Sequence, residues 1–126
     1  YQCMIKPMST PSKFSTTYLR FLNLIQAIRE IPSFPAMDPV EERLLNLLAS
    51  VWHVGKQISV LEAMGLSTDI SATTAHRRLK TLRSKGLIAL DVDKVDSRIK
   101  YVVPTELATQ YFATMGQALD RAQKTE

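Results

Sequence analysis

Side chains that bind phosphate are concentrated in one stretch of the sequence, residues 71–100. This stretch contains eight lysines and arginines against three aspartates, whereas the rest of the chain has eight basic and nine acidic residues. Guanidinium and ammonium groups neutralise phosphates, and an arginine can also bind a guanine edge through two parallel hydrogen bonds. Because the whole positive excess of the chain comes from this stretch, a nucleic acid is the first partner that the sequence suggests.

The residues around these cations predict a helix followed by a β-hairpin. A helix over residues 71–85 has one apolar side at helical spacing, formed by Ala75, Leu79 and Leu82. Gly86 is a suitable stop for this helix, and strands at 87–92 and 99–103 flank a charged loop. This order is that of a recognition helix and a wing, which bind the grooves of double-stranded DNA.

Two capped helices are predicted before the basic helix. Asp38 has the type and position of an N-cap, and Glu41 that of its capping-box partner, so a helix should extend from there to residue 53. The same signal at Ser59 and Glu62 predicts a short helix ending near residue 64.

The two ends of the chain are predicted to form further helices. The helix expected over residues 16–30 has apolar residues on more than one side, which indicates deep burial or contact with a second subunit. A final amphipathic helix is expected over 105–123. Residues 1–15 combine proline, serine and threonine with little periodicity and are expected to form a flexible arm.

The composition favours a soluble protein. The 126 residues, 45% hydrophobic and 22% charged, suffice for one domain with a modest core. No apolar run approaches the roughly 20 residues that cross a bilayer, so no membrane partner is expected. Cys3 is the single cysteine and no export signal is evident, which predicts a cytoplasmic location.

The residue types of an active site are not grouped in this sequence. It shows no Gly-rich phosphate loop, no nucleophile–base pair and no paired carboxylates at a plausible spacing. The two histidines, His53 and His76, lie far from each other and from Cys3, unlike the closely spaced ligands of metal sites. We therefore expect no enzymatic activity, no metal and no cofactor.

Three motifs support a more specific interpretation. The run from Thr74 to Ile88 has the form of a recognition helix that leaves through Gly-Leu-Ile. Asp96-Ser97-Arg98 follows at the distance of a hairpin loop, and Val103-Pro104-Thr105 leads into the next helix. Together they make residues 38–119 resemble the MarR family of winged-helix transcriptional regulators.

This resemblance implies a mainly α-helical fold with a small β-wing. The winged helix-turn-helix would occupy residues 37–104, between dimerisation helices at 16–36 and 105–126. A homodimer would bind the two halves of a pseudo-palindromic operator and act as a transcriptional regulator, expected to be a repressor, although the sequence leaves activation open. A small-molecule effector is a further partner that this architecture allows. The expected dimer-interface residues are Leu19, Leu22, Ile25, Tyr111, Met115 and Leu119.

The expected DNA contacts lie on the outward side of the basic helix and on the wing. Arg98 should enter the minor groove from the wing tip, held by an ion pair with Asp96. The full set is Thr73, Thr74, His76, Arg77, Arg78, Lys80, Thr81, Lys94, Arg98 and Lys100. A basic helix face can also be merely solvated, so the alternative is a winged helix that binds a protein, or DNA without sequence preference.

Two features depart from the family's pattern. The turn before the basic helix, around residues 67–71, is longer than usual, and residues 69–72 belong either to this loop or to an added helical turn. The C-terminal region has one helix where the family often has two, which leaves the mode of dimerisation open.

Overall fold

The computed structural model describes residues 12–124, which form five helices and a two-stranded antiparallel sheet. In chain order these are α1 (Lys13–Arg29), α2 (Pro39–His53), α3 (Val60–Met64), α4 (Ala72–Ser84), β1 (Ile88–Val92), β2 (Lys100–Pro104) and α5 (Glu106–Gln123). The expected fold class, mainly α with a small β-wing, is confirmed.

The described residues divide into two compact units. Pro32–Phe112 form the winged unit, and residues 12–31 together with 113–124 form the helical unit. Helix α5 contributes residues to both units.

In the helical unit, α1 begins at Lys13, three residues earlier than its sequence predicts. Ser12 is the N-cap, and its hydroxyl accepts a hydrogen bond from the Ser15 amide at 3.1 Å. The expected boundary of the arm at residue 15 is therefore too late, because α1 already begins at Lys13. Residues 1–11 lie outside the described residues. Farther along α1, the Arg20 guanidinium donates to the Ala122 carbonyl at 3.3 Å and so joins α1 to the end of α5.

The core of the winged unit lies between α2, α4 and the sheet. Its fully buried leucines and valine are Leu44, Leu45, Leu48, Leu82, Leu87 and Val102. The Trp52 indole N–H donates to the Val102 carbonyl at 3.0 Å, which fixes α2 to β2. Trp52 therefore has the packing role that its position in an apolar helix face suggests.

A buried carboxylate connects the start of α2 to the end of α4. Asp38 and Glu41 form the predicted capping box, in which Glu41 Oε1 accepts from the Asp38 amide at 2.9 Å. The same oxygen accepts from Lys85 Nζ at 2.7 Å, and Lys85 also donates to the Ala36 carbonyl at 2.7 Å. Glu41 is only 2% exposed, so the carboxylate depends on these donors in place of water.

The exit of α4 has the hydrogen bonds of a Schellman motif. Gly86 has a φ of +80°, its amide donates to Arg83, and the Leu87 amide donates to Leu82. Thr105 then fixes this turn from the far side, since its hydroxyl donates to the Gly86 carbonyl at 2.6 Å and accepts from the Ala108 amide, which caps α5. The end of α4 is thus held at a defined position.

Strand β1 begins one residue later than predicted and ends where predicted, whereas β2 is shifted by one residue at both ends. Ile88 pairs with Pro104 and Val92 pairs with Lys100. Leu87 does not begin the first strand because its amide completes the helix exit, and Ile99 remains in the turn because its amide donates to Asp96. Just before α3, the Ile58 carbonyl accepts from the Val102 amide at 2.8 Å, next to an isolated β-bridge between Ser59 and Tyr101.

The turn before α4 is an irregular loop, and the added helical turn considered for residues 69–72 does not form. Ser67 organises this loop by accepting from the amides of Asp69 and Ile70. Asp69 in turn pairs with Arg43 of α2 at 2.7 Å. Within residues 12–124, no helix is both long and apolar enough to cross a membrane.

The Glu41–Lys85 pair yields a stability prediction. Lys85→Met keeps the apolar stem and removes the ammonium group, which leaves Glu41 buried without its cation. We expect the free energy of unfolding to fall by about 2–3 kcal/mol. Urea unfolding followed by the fluorescence of Trp52, the only tryptophan, measures this change in the winged unit.

The matched control is Arg43→Met. It breaks an ion pair of the same 2.7 Å length whose side chains are more than half exposed, so its cost should stay below about 1 kcal/mol. Equal losses for the two variants would contradict the special role of the buried pair.

Candidate nucleic-acid interface

Helix α4 is oriented by its cap and by its apolar side. Ser71 is the N-cap and accepts from the Thr74 amide at 3.1 Å, as expected. Ala75, Leu79 and Leu82 are buried. Because they occupy one side of the helix, the residues on the opposite side project outward, and Thr73, Arg77 and Lys80 are all exposed.

A second row of polar side chains on α4, two of them basic, faces the wing. His76, Lys80 and Arg83 follow each other at spacings of four and three and line one wall of a groove of about 1030 Å³. The opposite wall consists of wing residues, among them Arg98 and Lys100. This groove runs beside the helix with basic side chains on both walls and Glu62 among its lining residues. The basic side chains suit a phosphate backbone.

Arg83 is absent from the contacts predicted from sequence, although it lines this groove and is exposed. The signal that identifies it is the seven-residue interval from His76, which places both residues on the same side of a helix. Apolar side chains of the groove include Leu61, which is 78% exposed on α3, and Ile99, which is 38% exposed. The groove therefore combines a basic rim with apolar surface.

The third row of polar residues on α4 faces α2. Arg78 Nη1 pairs with Asp38 Oδ2 at 3.0 Å, and the Arg78 Nε atom is buried. This ion pair joins α4 to the capping residue of α2 and so helps to hold the helix in position. The Arg78 side chain is 32% exposed, and its contact with DNA stays a prediction.

The two threonines on this side are only partly accessible. Thr74 receives a hydrogen bond from the Ser71 hydroxyl at 3.0 Å, and Thr81 donates to the Arg77 carbonyl at 3.1 Å. Both are half-buried, whereas Thr73 is exposed. Of the three predicted threonines, Thr73 is thus the most accessible to a ligand.

The wing presents Arg98 in a fixed arrangement with Asp96, as expected. Arg98 Nε and Nη2 donate to Asp96 Oδ1 and Oδ2, each at 3.0 Å. This side-on pairing uses one edge of the guanidinium and leaves the other edge for a further acceptor. The Arg98 side chain lowers the pKa of Asp96, as does the Arg98 amide, and Asp96 raises the pKa of Arg98. Lys94 and Lys100 are exposed nearby.

A second aspartate, Asp93, organises the turn of the wing. Its carboxylate accepts from the amides of Asp96 and Val95 at 2.8 and 3.0 Å and from the Tyr101 hydroxyl at 2.9 Å. The hydrogen bond from the Asp96 amide is the largest cause that lowers the pKa of Asp93, followed by that from Tyr101, and Asp93 in turn raises the pKa of Tyr101. Within the described residues, no three metal-ligating side chains form a group that could hold an ion.

The residues expected at a dimer interface fall into two sets. Leu19, Leu22 and Leu119 are 55%, 42% and 47% exposed and therefore available to a partner. Ile25 and Tyr111 are buried in their own chain, so their expected contact with a partner is corrected; Tyr111 contacts the Phe34 ring edge-on at a centroid distance of 5.5 Å. Met115 is half-buried.

Apolar exposure on α1 is wider than predicted from sequence. Phe14 and Tyr18 are 81% and 59% exposed, and Phe14, Tyr18 and Leu22 follow one another at four-residue spacing. We call Phe14, Tyr18, Leu19 and Leu22 the α1 apolar face. A face of this size on one short helix is unusual for surface that stays in water.

Known structures share the fold of this chain. The transcriptional regulator Tm0710 from Thermotoga maritima superposes with a TM-score of 0.57 at 13% identity, covering 83% of this chain and 66% of that one. The heme sensor protein PefR from Streptococcus agalactiae, in complex with heme, gives 0.54 at 23% identity, covering 83% and 65%. YusO from Bacillus subtilis gives 0.52 at 18% identity, covering 86% and 68%.

These likenesses are structural. The chain spans about two thirds of the length of Tm0710 and PefR. A scan against protein-family models and a comparison with curated protein sequences give no match. What the superpositions show is the fold, a winged helix-turn-helix that this chain shares with Tm0710 and PefR.

The wing should respond to acid in a defined direction. Because the pKa of Asp93 lies below its ordinary value of 3.8, ionised Asp93 stabilises the wing turn above that pH, and the contribution is lost as pH falls through the lower folded-state pKa. In an NMR titration, the amide signals of Val95 and Asp96 should stay constant near pH 6 and shift with a midpoint below pH 3.8. The amides of Ala89 and Val103, paired in the same hairpin, are the internal control. A midpoint above pH 3.8 would contradict the stabilisation of the wing turn by ionised Asp93.

Proposed function

We propose that this protein is a sequence-specific, double-stranded DNA-binding transcriptional regulator that works as a homodimer on a pseudo-palindromic operator. In this proposal α4 enters the major groove, the wing contacts the adjacent minor groove, and binding represses transcription where the operator overlaps a promoter. The chain spans about two thirds of the length of Tm0710 and PefR. The proposal therefore rests on the residues of this chain in addition to the fold.

The observation that carries the proposal is the division of α4 into distinct sides. Arg77 and Lys80 project away from the core, while Arg78 and Lys85 are occupied by Asp38 and Glu41. The cations that remain accessible therefore lie on the sides of α4 away from α2, and Lys80 lines the same groove as Arg98 of the wing. Arginines on an exposed recognition helix are suited to the O6 and N7 atoms of guanine, and an arginine on a wing to a narrow minor groove.

The α1 apolar face supports the homodimer. Two copies of this face, related by a two-fold axis, would each cover apolar rings and leucines that a single chain leaves in water. Two copies of α4 would then be presented to successive major grooves, which requires half-sites about one helical turn apart.

A small-molecule effector is part of the proposal. PefR, which shares the fold, is a heme sensor, and a ligand that changed the separation of the two recognition helices would change DNA affinity, because that separation must match the groove repeat.

Selection of preferred duplexes from a random DNA pool tests the proposed function. Enrichment of a pseudo-palindrome whose affinity exceeds that of scrambled DNA across a salt series is the expected result. Binding that simply fades with salt, without enrichment, would identify a nonspecific DNA-binding module. Absence of DNA binding at moderate salt would favour a protein-interaction role.

Arg77 and Lys100 should differ in what they contribute. On the selected duplex, Arg77→Ala should cost about 1–3 kcal/mol and relax one base position, because its guanidinium would read a base edge. Lys100→Ala should weaken selected and scrambled DNA alike, because a wing lysine would bind phosphate. Fluorescence anisotropy with both duplexes measures each loss. An Arg77 effect that is equal on the two duplexes would refute base reading.

A charge on the α1 apolar face should prevent dimerisation. Leu22→Glu would place a carboxylate in the apolar interface, so sedimentation velocity should show monomers in place of dimers. Ala27→Glu is the matched control, since Ala27 is exposed on the opposite side of the same helix. A Leu22→Glu protein that remains dimeric would move the interface to another surface.

A further inference from the structure

The turn of the wing is built around one carboxylate. Both oxygens of Asp93 are used: Oδ2 accepts from the amides of Val95 and Asp96, and Oδ1 accepts from the Tyr101 hydroxyl. The Asp93 amide in addition donates to the Ile99 carbonyl at 2.9 Å, which closes the base of the loop. The backbone position of Asp96 is therefore set by Asp93.

Asp96 passes this constraint to Arg98. Its carboxylate accepts from the Arg98 amide and from two nitrogens of the Arg98 guanidinium, all at 3.0 Å. The Arg98 side chain is 89% exposed, so packing restrains it little. Its orientation depends on Asp96, and through Asp96 on Asp93.

Tyr101 fixes the other end of this chain of contacts. It lies on β2, half-buried, and forms a β-bridge with Ser59 at the start of α3. The next residue, Val102, is buried and donates its amide to Ile58. The Tyr101 hydroxyl therefore holds Asp93 from a position anchored in the body of the winged unit.

We infer that Tyr101 and Asp93 are positioning residues that hold the Arg98 guanidinium ready for the minor groove of DNA. This inference rests on the proposed DNA-binding function and adds to it two residues that do not touch the ligand. A guanidinium that is already oriented loses less conformational freedom on binding than a mobile one. Tyr101 and Asp93 would thus affect affinity through Arg98 and through no contact of their own.

The first test uses the free protein and is independent of DNA. Tyr101→Phe removes only the hydroxyl. Asp93→Asn removes the negative charge of the carboxylate that accepts from the Val95 and Asp96 amides. Both should lower the NMR order parameter of the Arg98 Nε–H bond and shift the amide signals of Val95 and Asp96. The control is Asp91→Asn, which removes a charge from an exposed position on β1 that is paired with Tyr101 in the register. Unchanged Arg98 order in Tyr101→Phe and Asp93→Asn would overturn the inference whatever the protein binds.

The second test measures coupling on the selected duplex. Tyr101→Phe alone should weaken binding about fivefold, which corresponds to about 1 kcal/mol for one lost hydrogen bond. In an Arg98→Ala background the same substitution should change affinity less than about twofold, because the residue through which it acts is gone. A merely structural role would give the same fivefold loss in both backgrounds, and that result would overturn the inference.

The comparison of the two aspartates separates charge from position. Both Asp91→Asn and Asp93→Asn remove one negative charge from the wing and should reduce its repulsion of phosphate equally. Asp91→Asn should therefore bind as well as the wild type or better, whereas Asp93→Asn should bind more weakly. Equal gains would overturn the inference and leave DNA binding intact. If the unaltered protein shows no preference for any duplex, the proposed function itself has failed, and the assignment to DNA fails with it.

Discussion

The buried carboxylate of Glu41 is the interaction on which the orientation of α4 depends. One oxygen caps α2 and binds Lys85, the residue that ends α4. A carboxylate that is 2% exposed must have its hydrogen-bond partners in place, so the start of α2 and the end of α4 are fixed to each other with little tolerance. Arg78 and Asp38 make a second connection between the same helices. Arg78 and Lys85 hold the side of α4 that packs against α2. The accessible cations of α4 therefore point outward.

The basic residues of this sequence therefore have two separate roles, and their number alone does not distinguish these roles. Eight cations lie in residues 71–100, and from the sequence all of those on the helix look alike. The fold assigns Arg78 and Lys85 to partners inside the winged unit and leaves Arg77, Lys80 and Arg83 exposed. The difference follows from helical geometry, since the occupied residues lie on the side that packs against α2.

The sequence predicts contacts between residues that are close in the chain better than contacts between distant residues. The capping boxes at Asp38 and Ser59 and the stop at Gly86 are correct because each signal acts over a few residues. The pairs Glu41–Lys85 and Arg78–Asp38 join residues about forty positions apart, and only packing selects those partners. The start of α1 at Ser12 was missed for a third reason: a serine among prolines and threonines gives a weak cap signal.

The acidic residues of the wing present an apparent conflict with DNA binding, since every carboxylate near a phosphate opposes association. Asp93 and Asp96 resolve it through their hydrogen bonds. Both are held by donors within the wing, and Asp96 directs its charge onto Arg98. A lysine-rich loop without them would carry more positive charge but leave each cation mobile. The wing thus combines a smaller net charge with a guanidinium of defined direction. In the proposed DNA-binding role, that combination would favour recognition of a particular groove shape over general attraction to phosphate.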